Sequence, residues 1–550
     1  MSSHFIQEAC FNVCCSSPFS SHSMTQKQEE EELEFSVVTP GASFITKDIK
    51  FTSQESLPPL RTSFYDLITA FPDYLQTNQA DHLRSTEYQN LSCSSRHVLL
   101  THTGQLQPLF SYSQFRQLSR LNQSLFTLSS KQVCSYKEML SLASEESWFQ
   151  TRLRKRIMSF MNLEESEYHM ILTQDCSSAF KILAELYSFK TNPNLLTVYN
   201  YQDEAVEEMI RISEKKGVKP KSAEFSWPST EIVSEKLKRT ILRSKRGRGK
   251  EDKRGIFVFP LQSLVTGATY SYSWMSLAQE NQWHVLLDTS ALGSKDMDTL
   301  GLSLFRPDFL ICSFTEVLGQ DGLTSFGCLF VKKSSSKALS EETVTNPTNL
   351  TVVKAEPSWI TENDETTLEI VEEDNVTIEF RGLDHADSLG LILISRRLKS
   401  LTLWLVRALM SLKHPNSHQT ETPLVKICGP KTRPERGSSV SFNVFDWQGD
   451  KVDPLMVERL AEREKISLRC AYLQKISRVG DKKRRDEERD GQNMSLRVSV
   501  VCVRLGFMTN FDDVFRVWGF VSRFLDVDFV EREKWRMKAL EKKQMRGVII

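Results

Sequence analysis

The chain has 550 residues, 40% of them hydrophobic, which is enough for two or more domains with a sizeable core. Its 70 Lys and Arg balance its 70 Asp and Glu, so net charge gives no reason to expect nucleic acid or a membrane surface as a partner. The eleven Cys are scattered without the spacing of zinc ligands, which predicts reduced thiols, a cytoplasmic location and no metal site.

Residues 1–62 are predicted to form a disordered tail, because they are rich in Ser and then strongly acidic from Glu29 to Glu34. The first residues contain Cys10, Cys14 and Cys15 but lack the basic start and the apolar core of a signal peptide. An organellar transit peptide and palmitoylation of Cys14 and Cys15 stay open as alternatives to an inert tail, and the role of Cys10 is not fixed.

A large domain is predicted over residues 63–340, where strand patterns alternate with helical ones. The predicted elements are a strand at 168–173, a helix at 177–189 with Asp175, Ser177 or Ser178 as its N-cap, a strand at 195–199 and helices at 204–216 and 229–244. Three apolar runs follow, at 256–259, 284–287 and 309–312, and they end in Pro, Asp and Ser. Interleaved strands and helices of this length indicate a doubly wound α/β domain with a mostly parallel sheet.

Residues 341–375 resemble an acidic insertion or linker, and residues 376–550 are predicted to form a smaller α+β domain. Its predicted elements are a helix at 389–413, a strand at 438–446, a helix at 453–464, a strand at 495–507 and a helix at 512–525. The first helix has Arg and Lys inside its apolar stretch, so it is not expected to cross a membrane. The basic run at 236–254 is interpreted as a solvated helix end and loop, with a nuclear-localisation signal or an anion patch as alternatives.

Polar residues follow the apolar runs at the point where parallel strands deliver groups to a ligand. An Asp after one strand and a Ser-x-x-Lys after a later one would make a pyridoxal-phosphate site, in which the Asp binds the pyridine nitrogen and the Lys forms the Schiff base. This chain has Asp288 and Ser313 in those places, but it has Glu316 where the Lys is expected.

Several segments resemble proteins similar to plant molybdenum-cofactor sulfurase, in its amino-terminal, cysteine-desulfurase-like half. The segments are GIFVFPLQSLVTG, WHVLLDTSALGSKDMDTLGLSLFRPDFLICSF, FGCLFVKK, LDHADSLGL and LGFMTNFDDVFRVWGFVSRFL. That family belongs to the class-V aminotransferase group of pyridoxal-phosphate enzymes, and the resemblance covers roughly residues 65–530. It implies a pyridoxal-phosphate transferase of fold type I, a pyridoxal-phosphate cofactor and a homodimer.

The resemblance also implies roles for individual residues. The implied cofactor contacts are Asp288 for the pyridine nitrogen, Ser313 with Ser177 and Ser178 of the 173–178 turn for the phosphate, Tyr201 in place of the stacking His, and Gln262 at a strand end. Arg436 is implied as a contact for a substrate carboxylate, with a structural ion pair as the alternative. We expect Asp288, Ser313 and the 173–178 turn to meet in one cavity that Glu316 also lines.

Two departures from the family pattern bear on function. Glu316 replaces the Schiff-base Lys, and a carboxylate cannot form an imine. In the region of the sulfur-transferring loop only Cys470 remains, and a lone Cys on a strand is more often a small buried residue. We therefore expect no covalent aldimine, and we expect Glu316→Lys to restore a yellow chromophore if the rest of the pocket survives.

Three functions remain open from the sequence. The first is a catalytically degenerate member of the family that acts by binding or assembly. The second is an active transferase or sulfurtransferase that holds its cofactor without the usual Lys or uses another one, such as Lys295 or Lys332. The third is a protein-interaction module with an empty pocket.

Overall fold

The structure of the protein is a computed structural model that describes thirteen parts of the chain. These are residues 49–91, 107–120, 127–132, 136, 148–242, 254–291, 305–317, 325–339, 348–353, 379–415, 422–432, 436–478 and 496–547. Residues 1–48 of the predicted tail, Lys295 and most of the predicted insertion at 341–375 lie outside these parts, so the predictions for them remain predictions. Residues 348–353 of that insertion are described, and they form a strand of the larger sheet.

Helices and strands alternate along most of the described chain. The helices are α1 Leu60–Ala70, α2 Asn78–Glu87, α3 Tyr112–Arg120, α4 Trp148–Phe160, α5 Cys176–Leu186, α6 Glu204–Lys215, α7 Ser234–Leu242, α8 Ser273–Glu280, α9 Arg381–Met410, α10 Pro454–Arg463, α11 Phe511–Ser522 and α12 Val527–Gly547. The strands are β1 Gln107–Phe110, β2 Thr127–Gln132, β3 Tyr168–Thr173, β4 Leu195–Thr197, β5 Lys221–Ser222, β6 Phe225–Trp227, β7 Ile256–Pro260, β8 His284–Asp288, β9 Phe309–Val317, β10 Ser325–Lys332, β11 Thr348–Val353, β12 Val425–Ile427, β13 Ser439–Val444, β14 Arg469–Arg478 and β15 Leu496–Arg504.

The larger sheet has ten strands in the order β2-β11-β3-β10-β9-β8-β7-β4-β5, and β1 pairs with the far end of β9. Neighbouring strands from β9 to β5 run parallel, whereas β10 is antiparallel to both β9 and β3. All residues of β7 and β8 are buried, as expected for strands that are covered on both faces.

Successive side chains along these strands point to opposite faces of the sheet, and this divides the hydrophobic core into two layers. Phe257 and Phe259 of β7 belong to a hydrophobic cluster that also contains residues of α4, α7 and α8. Ile256 and Val258 of the same strand belong to a second cluster, which α5 and α6 cover. Helices therefore pack on both faces of the sheet, and the predicted doubly wound α/β architecture is confirmed.

The smaller sheet has the order β12-β13-β15-β14-β6 and is antiparallel apart from the β14–β6 pair. Helices α9, α10 and α11 contribute to a third cluster, which is the core of this domain. Helix α9 has a kink at Gly390, whose φ of 76° is unusual for residues with a side chain. This α+β unit confirms the second domain of the predicted fold class.

The segment before the large domain packs against the small one. The ring of Phe51 lies 5.3 Å from that of Trp518, measured between centroids, and both belong to the small-domain core. The buried guanidinium of Arg397 on α9 forms an ion pair with Asp81 on α2 and donates to the carbonyl oxygen of Thr509 at 2.9 Å. Among the helices described, none combines the length and the apolarity needed to cross a membrane.

Candidate functional site

Asp288 ends β8 and is buried at the carboxyl edge of the larger sheet. The Tyr199 hydroxyl donates to one carboxylate oxygen at 2.9 Å, and the backbone N–H of Ser290 donates to the other, also at 2.9 Å. Burial raises the pKa of Asp288, while these donors and the nearby Arg504 charge oppose that shift. These two hydrogen bonds thus hold the Asp288 carboxyl group in one orientation.

A second carboxyl group lies close to the first. Asp203 is the N-cap of α6, and its side chain accepts from the backbone N–H groups of Ala205 and Val206. Burial, and next the charge of Asp288, raise the pKa of Asp203 to about 6. The site therefore holds two acidic groups whose charges disfavour each other.

Arg504 comes from the end of β15, so the small domain contributes a cation to this site. Its guanidinium is buried and donates to the carbonyl oxygen of Ser290 at 3.5 Å. Burial lowers the pKa of Arg504 to about 10, against the raising effect of Cys502, Tyr201 and Asp288. The cation and the Asp288 carboxyl group thus face each other across the domain boundary.

The turn between β3 and α5 brings a thiol to the same place. Cys176 is the first residue of α5, and its sulfur lies 3.3 Å from the Ser290 hydroxyl oxygen. Ser313 pairs with Gly327, which in turn pairs with Thr173 at the start of the turn, and burial and the Asp288 charge raise the pKa of the Cys176 thiol. Asp288, Ser313 and the 173–178 turn therefore lie together.

The N-terminus of α5 already has an anionic partner. Of the three candidate caps, the structure uses Asp175, which accepts from the Ser178 backbone N–H at 2.6 Å. Ser177 is exposed and Ser178 is half-buried. A phosphate at this helix end would therefore meet the Asp175 carboxylate, which competes for the same N–H groups.

Glu316 does not share the face of Ser313. Strand β9 continues to Val317 instead of ending after Cys312, because β1 and β10 pair with its last residues. Alternating residues point to opposite faces, so Glu316 lies with Phe314 on the α4 side and Ser313 on the α5 side. Phe314 contacts Phe160 of α4 at a centroid distance of 6.2 Å, which fixes this assignment.

The other residues implied by the resemblance have identifiable partners. Tyr201 is buried, with its ring centroid 5.6 Å from that of Tyr199. Burial and the charges of Asp203 and Asp288 raise its pKa, and the charge of Arg504 opposes that shift. Gln262 is buried against the backbone of Gly437. A Cβ added to Gly437 would lie 1.7 Å from the Oε1 atom of Gln262. Tyr201 therefore belongs to the Asp288 site, whereas Gln262 packs where the two domains meet.

The guanidinium of Arg436 donates its hydrogen bonds to backbone carbonyl oxygens. It donates to carbonyl oxygens of Pro430 at 2.8 Å and Lys431 at 3.0 Å, and also to those of Thr266, Gly437 and Ser439. Burial lowers its pKa to about 10. Its five N–H donors thus have five acceptors, and a substrate carboxylate would have to displace them.

Two further candidates, Lys332 and Cys470, have partners other than Asp288. Lys332 ends β10, five residues beyond Gly327, which is the partner of Ser313 in the register. At about 3.4 Å per residue, this places it roughly 17 Å along the strand, where its ammonium donates to the carbonyl oxygen of Arg306. Cys470 lies near the start of β14, and its backbone N–H donates to the Glu458 carboxylate at 3.0 Å.

The sequence analysis did not identify Tyr199, Asp203, Ser290 or Arg504. Tyr199 and Asp203 follow β4, and Ser290 follows β8, so the rule that polar groups gather at carboxyl ends of parallel strands could have found them. Arg504 gave a weaker signal, one of two arginines in a largely apolar strand of another domain. Its position depends on domain packing, which no local pattern encodes.

The residues present fit only one end of pyridoxal phosphate. Asp288 is buried, oriented by two donors and able to accept from a pyridine nitrogen, as the cofactor's ring requires. Within the part of the chain that the structure describes, the covalent end is not matched, because the groups brought to Asp288 are hydroxyls, a thiol, a carboxyl and a guanidinium, while Glu316 lies on the opposite face of β9. No catalytic step can be assigned to the cofactor with this set of residues.

The chain is similar in sequence to curated molybdenum cofactor sulfurases. It is 25% identical over 495 residues to the protein of Solanum lycopersicum, covering 80% of this chain and 57% of that one. It is 23% identical over 411 residues to the protein of Homo sapiens, covering 70% of this chain and 43% of that one. The chain thus spans about half the length of the curated relatives it matches. No protein-family model matches it.

Solved structures give a weaker similarity of the same kind. The apo cysteine desulfurase of Thermococcus onnurineus NA1 superposes with a TM-score of 0.44 and 14% identity, covering 68% of this chain and 82% of that one. The cystine C-S lyase C-DES, solved with cysteine persulfide, gives a TM-score of 0.42 and 12% identity, covering 70% and 91%. The sequence relatives and the observed sheet agree with the resemblance drawn from the motifs. The chain is similar in sequence to molybdenum cofactor sulfurases, and its larger domain has a doubly wound α/β fold.

Proposed function

We propose that this protein is a catalytically degenerate member of the sulfurase-like proteins, which binds a ligand or a partner and does not carry out cysteine desulfuration. The observation that carries the proposal is Glu316 in the position of the family's Schiff-base lysine. An imine needs an uncharged amine next to the aldehyde, and a carboxylate offers only acceptor oxygens. Asp288 still stands where the resemblance implies the contact with the pyridine nitrogen.

The state of Cys470 supports the same proposal. A sulfur-transferring cysteine must reach the substrate as a thiolate, which needs an accessible thiol with a lowered pKa. Cys470 lies on a paired strand, opposite Val501 of β15, and burial together with Glu458 raises its pKa. Both nucleophiles of the desulfurase reaction are therefore missing or unsuited to it.

The Asp288 site would act in binding. Pyridoxal phosphate supplies an electron-withdrawing pyridinium ring when it is bound, and Asp288 would accept the ring N–H while Tyr199 and Ser290 keep its carboxylate in place. The Asp175 carboxylate would weaken phosphate binding, because it already accepts from the Ser178 N–H. We therefore expect reversible binding weaker than that of an enzyme with the lysine. A homodimer remains a prediction from the resemblance.

The test is equilibrium dialysis of the purified chain against pyridoxal phosphate, combined with measurement of sulfide released from cysteine. We expect reversible uptake of the cofactor by the wild type, at least tenfold weaker uptake by Asp288→Ala, and no sulfide release. Glu316→Gln is the matched control and should bind like the wild type. Sulfide release would establish an active sulfurtransferase, and absence of uptake in every variant would favour an interaction module with an empty pocket.

Glu316→Lys tests the geometry of β9 separately. The motif spacing predicts that this variant regains a yellow chromophore, whereas the pleat of β9 starts the new side chain on the face away from Ser313. The structure therefore leads us to expect no aldimine band from Glu316→Lys alone. A band would show that the strand turns after Ser313, and it would leave the proposal for the wild type intact.

A further inference from the structure

Two exposed tryptophans lie near each other on the small domain. The side chain of Trp535 on α12 is 74% exposed and that of Trp447, in the turn after β13, is 50% exposed. Each is next in sequence to one partner of the Lys534–Asp446 ion pair, whose atoms are 2.9 Å apart. The two tryptophan Cα atoms are therefore at most about 20 Å apart, since neighbouring Cα atoms are separated by 3.8 Å.

The inner side of α12 explains why Trp535 is outside. Phe529 and Val530 are buried in the small-domain core, and Glu533 pairs with Arg463 of α10. These residues occupy the helix face opposite to Trp535 at 3.6 residues per turn. An indole is mostly buried in folded proteins, so a pair of exposed indoles on one surface indicates a contact site.

The charge around Trp535 is positive. Helix α12 contains seven Lys and Arg and four Asp and Glu, and Lys534 and Arg536 already pair with acidic side chains. Arg532 and Lys538 flank Trp535 at spacings of three residues, which puts them on its face of the helix, and both are exposed. We call Trp447, Arg532, Trp535 and Lys538 the tryptophan surface. A complementary partner has acidic residues with apolar ones among them.

This chain contains such a partner. Residues 29–35 read EEEELEF, five Glu with Leu33 and Phe35. The chain enters the described structure at the small-domain core, where the ring of Phe51 lies 5.3 Å from that of Trp518 on α11, the helix that precedes α12. The 14 Cα–Cα steps from Phe35 to Ile49 can span up to about 50 Å when extended, which is longer than the roughly 32 Å of α12.

We propose that the acidic segment 29–35 docks on the tryptophan surface of its own chain. The Glu side chains face Arg532 and Lys538, while Leu33 and Phe35 contact the exposed indoles. Linkage within one chain gives an effective concentration on the order of millimolar, so a weak contact is enough to populate the docked state. Because opposite charges steer it, the contact weakens as salt shortens the screening length to about 3 Å at 1 M.

The test uses the full-length chain with a photo-crosslinking phenylalanine analogue in place of Phe35, and mass spectrometry of the crosslinked peptides. We expect crosslinks within one chain to peptides of α12 or of the 445–451 turn, with a yield that falls at least fivefold in 1 M salt. The same analogue at Phe19, in the tail but outside the acidic segment, is the position control and should give few of these crosslinks.

Matched substitutions identify the surface. Trp535→Ala should lower the crosslink yield at least fivefold, while Trp148→Ala, at another exposed Trp on the large domain, should leave it unchanged. Crosslinks that join two chains would show that the surface binds a second copy and would overturn the proposal. Crosslinks to other peptides, or none at all, would overturn it as well. A lipid surface is the other outcome. It would be assigned if phosphatidylserine vesicles bind through Trp535, and if they bind the wild type and the Glu29–Glu32→Gln variants with equal affinity.

Discussion

Replacing Asp203 by Asn should stabilise the protein, although the residue caps a helix and belongs to the candidate site. The folded state raises the pKa of Asp203 from 3.8 to about 6. At about 1.4 kcal/mol per unit, keeping this group ionised above pH 6 costs roughly 3 kcal/mol, and roughly 2 after allowance for the water that still reaches a half-buried side chain. Asn keeps the cap, since it is as good an N-cap as Asp.

The direction in which stability changes with pH follows from proton binding by Asp203. Because the pKa is higher in the folded chain, the stability that Asp203 contributes is fully present below pH 4 and is lost as the pH rises through about 6. The gain from Asp203→Asn should therefore be about 2 kcal/mol at pH 8 and about half of that at pH 5. Urea denaturation at the two pH values measures it.

The control is Asp453→Asn at the exposed N-cap of α10, where the Asp side chain accepts from Leu455 at 3.1 Å. This variant should change the free energy of unfolding by less than about 0.5 kcal/mol at both pH values. If Asp203→Asn lowers the stability at pH 8, or raises it equally at pH 5 and pH 8, the ionised Asp203 is not the destabilising group and the account of the two-carboxyl site is wrong.

Two further predictions concern buried packing, the first at Arg397 and the second at Gly327. Arg397→Met should lower the free energy of unfolding by about 3 kcal/mol in urea denaturation, because it removes a fully buried cation bonded to Asp81, whereas Arg396→Met at its exposed neighbour should have little effect; equal effects would refute the assignment. Gly327→Ala should cost about 1–3 kcal/mol and weaken cofactor uptake, since its Cβ would lie 2.5 Å from the Asp175 carbonyl oxygen. In contrast, Gly519→Ala, in open space on α11, should stabilise the protein by about 0.5–1 kcal/mol.

Local patterns in the sequence predicted most of the sheet elements near the site. The runs that became β7 and β8 are uniformly apolar and end in polar residues, so both their type and their carboxyl ends could be predicted. The end of β9 could not, because its last residues are held by pairing with β1, which is distant in sequence, as well as with β10. This pairing is what moves Glu316 to the face opposite Ser313.

The composition of the site was harder to predict than its location. Asp288 and Ser313 stand in recognisable motifs, but Arg504 reaches Asp288 only because the small-domain sheet packs on the large domain. Arg436 shows the opposite case, since its motif implies a substrate contact while its donors are used by backbone carbonyl oxygens. Contacts between domains decide both outcomes, and no local periodicity reports them.

The most direct measurement of the central claim is the intact mass of the wild-type chain after incubation with pyridoxal phosphate and reduction with borohydride. Reduction fixes an imine as a permanent adduct, so a cysteine desulfurase treated in parallel should gain the mass of one reduced cofactor. This account predicts that the wild-type chain, with Glu316 in place of the lysine, keeps its unmodified mass while still taking up cofactor reversibly in dialysis. A stoichiometric adduct on one lysine of the wild-type chain would contradict it.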